Sequence, residues 1–124
     1  MPSRLTNIVI DALDPSAVAD FWCSALGWQI VEQSDQGVSI AAANGTWPVI
    51  DFLPVPETKT VKNRLHLDIR ADGVSTPHEL ERLRDLGASP VDVGQSPDTT
   101  WVVLADPEGN EFCLLAESVQ DLVA

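Results

Sequence analysis

The chain has 124 residues, 44% hydrophobic and 21% charged, enough apolar side chains for one packed domain and well away from the low-hydrophobicity, high-charge range of disordered chains. Seven Lys and Arg against nineteen Asp and Glu leave a formal charge of -12, which argues against nucleic acid or an anionic membrane surface as a partner. No apolar run approaches the roughly 18 residues of a bilayer span, no apolar leader follows Met1, and Cys23 and Cys113 form no paired motif, so a cytoplasmic protein with reduced thiols is expected.

Leu5 to Ile10 alternates as a strand. Asp14-Pro15 then offers an N-cap with proline at the first helical position, and Val18, Phe21, Trp22, Ala25 and Leu26 recur at helical spacing up to Gly27, predicting a helix over 15–26. Strands are predicted at Trp28 to Gln33, Val38 to Ala43 and Val49 to Leu53, separated by Asp35-Gln36-Gly37 and Asn44-Gly45. A Pro-rich connector from Pro54 to Thr60 marks a seam. Beyond it comes a strand from Arg64 to Arg70, then a helix that opens on the capping box Thr76-Pro77-His78-Glu79 and stops at Gly87. Strands follow at Pro90 to Val93, Thr100 to Ala105 and Glu111 to Ala116, with turns at Gly94 to Asp98 and Asp106 to Asn110. Each half reads strand, helix and three strands, an internal repeat of element order with module one over about 1–56 and module two over about 63–117 of a single domain.

Period-two alternation sorts the strand faces. Leu65, Leu67 and Ile69 are expected against the helix, leaving Arg64, His66, Asp68 and Arg70 opposite. Likewise Ile8 and Ile10 inward put Asn7 outward, Ile50 and Phe52 inward put Asp51 outward, and Phe112 and Leu114 inward put Glu111 and Cys113 outward. A four-stranded sheet with one helix covers only one of its faces. The expected fold class is therefore α+β, two βαβββ modules forming a curled mixed sheet around a central cleft that collects Asn7, Asp51, His66, Asp68, Glu111 and Cys113.

Imidazole titrates near neutral pH, so His66 suits a ligand or a general base, with Asp68 and Asp51 as ligands, as orienting carboxylates or as partners for an amine or hydroxyl. The same residues are equally read as solvated groups of a cleft, the aspartates paired with Arg64 or Arg70. Lys59, Lys62 and Arg64 read as a solvated connector or as a basic patch able to steer a small anion, and Trp47 and Trp101 as core packing or as the apolar walls of a small-molecule site. Cys113 reads as an inert buried thiol unless a neighbouring cation or base activates it.

The Phe21-Trp22 and Leu26-Gly27-Trp28 helix ending, the Lys62-Asn63-Arg64-Leu65-His66-Leu67-Asp68 strand and the closing Asp106-Pro107-Glu108-Gly109-Asn110-Glu111-Phe112-Cys113 turn resemble the glyoxalase, bleomycin resistance protein and extradiol dioxygenase superfamily, also called vicinal oxygen chelate, and more narrowly its small glyoxalase-like proteins. The resemblance implies a glyoxalase-like small-molecule enzyme of lyase, isomerase or dioxygenase type; the alternative is a metal-free small-molecule or drug-binding protein of resistance type. It also implies a homodimer. In metal-using members, ligands come from the first and last strands of each module, which places Asn7, Asp51, His66 and Cys113 at those positions. Asn7 stands where His or Glu is expected and Cys113 where Glu is usual. His66, Asp51 and Cys113 are then the candidate metal set, with Glu111 as a substitute, and a metal-free site is favoured over one divalent ion. His66 and Asp68 are the candidate catalytic residues, and Asn7, Trp47, Arg64, Trp101 and Glu111 the candidate contacts to substrate.

Overall fold

The computed structural model describes residues 2–91 and 101–122. The expected turn from Gly94 to Asp98, and positions 92, 93 and 100 of the strands beside it, lie outside the described residues. By its internal contacts the chain divides into two compact units, Met1–Thr58 and Lys59–Ala124.

The first unit runs β1 (Asn7–Ala12), α1 (Pro15–Leu26), β2 (Gln29–Ser34), β3 (Gly37–Ala41) and β4 (Val49–Pro54). Its sheet has the order β1-β4-β3-β2, with β1 parallel to β4 and the other pairs antiparallel. Helix α1 begins where expected because the Asp14 carboxylate accepts the Ala17 N–H at 3.2 Å and Pro15 has no N–H to leave unpaired in the first turn. It ends at Gly27, whose φ of 69° is the left-handed conformation that a side chain would strain. The helix packs on β3 and β4, burying Val18, Phe21 and Trp22 on one side and Ile40, Ile50 and Phe52 on the other.

The second unit runs β5 (Leu67–Ile69), α2 (Thr76–Leu86), β6 (Ser89–Pro90), β7 (Trp101–Ala105), β8 (Glu111–Leu115) and α3 (Val119–Leu122). Its order is β5-β8-β7-β6, again with the first strand parallel to the last and the remaining pairs antiparallel. The fold is thus α+β, two βαβββ modules that repeat one topology. The turn between β7 and β8 explains its own sequence. Asp106 is buried and accepts the N–H groups of Glu108 at 2.9 Å and Asn110 at 3.0 Å as well as the Asn110 side chain, while Gly109 takes a φ of 86°.

Three details depart from the sequence reading. The strand expected from Arg64 is only Leu67–Ile69, and Leu65, expected beneath the helix, is 86% exposed. The cause is a competing set of bonds: Lys59 and the Asn63 N–H are both drawn to Glu111, so the chain before His66 follows that carboxylate instead of extending the β5–β8 ladder. The N-cap of α2 is Ser75, whose hydroxyl accepts the His78 N–H, while Thr76 donates to the Ala116 carbonyl and Glu79 turns to Arg82 at 2.7 Å. Finally, α3 has no counterpart in the sequence reading; Ser118 and Asp121 cap it reciprocally and the Val119 N–H ties it to the Ala71 carbonyl at 2.8 Å. Among the described residues no helix is long and apolar enough to cross a membrane.

Candidate functional site

In the first unit, β4 brings Asp51 between Val9 of β1 and Ser39 of β3. Directly paired residues share a face, so the Ser39 hydroxyl reaches one Asp51 oxygen, while the Asn7 amide donates to the other at 2.8 Å. The Thr6 hydroxyl in turn donates to the Asn7 side-chain Oδ1 at 2.7 Å. Asp51 is therefore a half-buried carboxylate with a donor on each oxygen. Trp47 is 56% exposed and carries the Arg4 guanidinium 5.2 Å from its ring centre, a cation–π contact.

In the second unit, β8 brings Cys113 between Asp68 of β5 and Val103 of β7. His66 lies just before β5, its Nε2 at 3.2 Å from an Asp68 oxygen. Both of these side chains are 48% exposed, whereas Cys113 is buried at 6%. One ligand atom from each of His66, Asp68 and Cys113 falls within 4.8 Å of the other two. Burial pushes the Cys113 thiol above its ordinary range; the Asp68 charge and a hydrogen bond from the thiol to Asp68 push the same way, and the Lys62 ammonium opposes them.

Glu111, two positions before Cys113, accepts from Lys59 at 3.0 Å and from the Asn63 N–H at 3.1 Å. Burial alone would raise its carboxyl, but the Lys59 bond and the backbone N–H donors outweigh it and hold the group below the usual glutamate value. Both its oxygens are thereby engaged. Trp101, 43% exposed, pairs with Leu115 and so shares the Cys113 face of β7 and β8. Arg64 is exposed in the bend before His66.

The structure therefore gathers His66, Asp68 and Cys113 into one cluster, places Asn7 and Asp51 in a second cluster of the first unit, and engages Glu111 with the connector. Imidazole, carboxylate and thiolate are all ordinary ligands of a divalent ion, and closing a 4.8 Å spread onto one ion asks the two exposed arms to move by about 1 Å. The donor set fits a metal. Sequence reading singled out neither Ser39 as the partner of Asp51 nor Asn63 as a clamp on Glu111. The first had a signal, a lone hydroxyl between Val38 and Ile40 in an otherwise apolar strand; the second is a main-chain bond and had none.

Two mixed four-stranded sheets of βαβββ order, each with polar side chains brought together across its first and last strands, define a vicinal oxygen chelate protein. Within that superfamily the chain belongs to the Glyoxalase-like domain family, which it matches over residues 7–115. FosX from Listeria monocytogenes, a genomically encoded fosfomycin resistance protein, aligns at a TM-score of 0.71 and 15% identity over 99% of this chain and 98% of its own. A variant of that FosX complexed with Mn(II) and 1S,2S-dihydroxypropylphosphonic acid aligns at 0.70 and 15% identity, over 98% of this chain and 95% of its own. A glyoxalase/bleomycin resistance protein/dioxygenase family enzyme from Burkholderia phytofirmans PsJN aligns at 0.63 and 21% identity, over 90% and 97% respectively. At such identities these structures establish the fold. No curated protein matches the sequence.

Proposed function

We infer that the protein is a glyoxalase-like enzyme for a small substrate with neighbouring oxygen atoms, working with one divalent ion held by His66, Asp68 and Cys113. The observation that supports this reading most is the approach of those three donors to within 4.8 Å on the second module. The Mn(II) complex of the Listeria FosX variant adds to it, since that protein shares the scaffold. When bound, the ion supplies Lewis-acid polarisation of substrate oxygens. The side chains do the rest. The exposed His66 and Asp68 present their donor atoms outward and hold each other's orientation, Cys113 anchors the set from the buried side, and Lys62 and Arg64 add positive charge that attracts an anionic substrate into a protein of charge -12. Trp101 is the assigned apolar contact, and Glu111 fixes the connector that delivers His66.

One observation favours a second reading, a metal-free binder of resistance type: the exposed Trp47 ring already holds a cation, Arg4, as it would hold a basic drug. Metal analysis of protein purified without an affinity tag, beside a His66→Ala variant, decides between them. Stoichiometric metal in the wild type that is lost in the variant supports the enzyme reading. A wild type that contains no metal and takes up neither zinc nor manganese overturns it in favour of the binder. The reading carries with it a homodimer, which light scattering at defined concentration tests.

A further inference from the structure

We propose that Cys113 makes the second module's cluster a thiophilic centre, one that takes zinc or cobalt in preference to manganese. The proposal rests on the metal reading above and goes beyond it in naming the class of ion.

In the first unit Asp51 pairs with Val9 on one side and Ser39 on the other; in the second, Cys113 pairs with Asp68 and Val103. The two last strands thus hold a carboxylate and a sulfur at the same place. The carboxylate is engaged by Ser39 and Asn7. The sulfur faces an isopropyl group where the first unit has a hydroxyl, so across β7 it meets no competing donor, and the ligating atoms near it belong to Asp68 and His66. A soft sulfur, a borderline imidazole nitrogen and one hard oxygen form a mixed set. Such a set favours zinc and cobalt, whereas manganese prefers carboxylate, carbonyl and water oxygen. Burial strengthens the case: Cys113 is 6% exposed while the His66 and Asp68 side chains are each 48% exposed, so an ion arrives past the half-exposed pair and the sulfur stays shielded.

Titration of the purified full-length chain with cobalt(II), then competition between zinc and manganese, tests the proposal. The expected results are a near-ultraviolet thiolate-to-cobalt absorption band, and a zinc-over-manganese preference that narrows by at least about tenfold in Cys113→Asp. Cys113→Ser controls for loss of packing at the buried position, and His66→Ala, altered at an exposed side chain, controls for folding; both are expected to weaken cobalt binding, with native circular dichroism. Cobalt bound without the thiolate band, or a zinc preference unchanged in Cys113→Asp, overturns the thiophilic assignment while leaving a metal centre standing. A wild type that binds none of the three ions overturns both.

Discussion

In the first module Asp51 is paired with Val9 and Ser39, whereas in the second the matching places hold Cys113, Asp68 and Val103. The backbone pairing is the same; the side chains differ at three positions. The first module satisfies its carboxylate internally, from Asn7 and Ser39, and so uses the cluster to join three strands. The second has no hydroxyl opposite its sulfur and leaves a thiol, a carboxylate and an imidazole near one another with half-exposed arms. The repeat thus fixes where side chains meet, and residue type decides whether the meeting is structural or chemical.

The cores are where substitution is expected to cost most. Phe52 follows Asp51 and Phe112 precedes Cys113 on the two last strands, and they are 0% and 1% exposed, so Phe52→Ala and Phe112→Ala are each expected to cost about 3–5 kcal/mol in denaturant unfolding. A cost under about 1 kcal/mol in one of them breaks the equivalence of the two cores. Next come the turns that launch those last strands. Asp106 is buried and accepts from Glu108 and Asn110, whereas Asn44 is exposed and accepts from Thr46. Asp106→Ala is expected to cost about 2–3 kcal/mol and Asn44→Ala about 0.5–1 kcal/mol. Equal costs overturn the view that the second turn is the tightly built one. A smaller step separates the clusters themselves: Asp51→Ala, which strips Ser39 and Asn7 of their acceptor, is expected to cost about 1–2 kcal/mol. Cys113→Ala, which removes one buried sulfur, is expected to cost about 1 kcal/mol in metal-free protein.

Much of this was legible in the chain because strand parity is a strong rule wherever one face is buried. Ile50 and Phe52 pack against the helix, so Asp51 takes the other face of β4; Phe112 and Leu114 are buried, so Cys113 takes the other face of β8, where it is itself buried. The Asp14-Pro15 cap and the Gly27 stop are local chemistry and place α1 directly. What parity could not show is competition from far along the chain. Leu65 alternates correctly with Leu67 and Ile69, yet Lys59 and Asn63 bond a carboxylate 52 and 48 positions away, and the strand starts late. Ser75 and Thr76 are both acceptable caps by composition; the Ala116 carbonyl, distant in sequence, takes the Thr76 hydroxyl and leaves the cap to Ser75. Asp68 reads in the sequence as either a ligand or an orienting group, and the β5–β8 register sets it directly against Cys113, a pairing that parity within one strand cannot give.

The smallest expected effect concerns Glu111, whose matching place in the first module, two positions before Asp51, is the uncharged Val49. Desolvation works against the Glu111 carboxylate, but the Lys59 bond and the backbone donors prevail and keep its pKa low in the folded chain. A carboxyl with a lower pKa folded than unfolded stabilises the fold above the unfolded value, about 4.3 for glutamate, and loses that contribution as pH falls through the lowered folded one. At pH 7 Glu111→Gln is therefore expected to be less stable by under about 1 kcal/mol, because the Lys59 partner is partly solvated and screening weakens the pair. Denaturant midpoints of the two proteins are expected to converge as pH drops below the ordinary glutamate range, while a Val49→Leu variant keeps a constant offset from wild type. A Glu111→Gln gap that stays constant down to acid pH shows that the connector is held by the neutral Asn63 bond alone, and the charge difference between the two modules then has no part in placing His66.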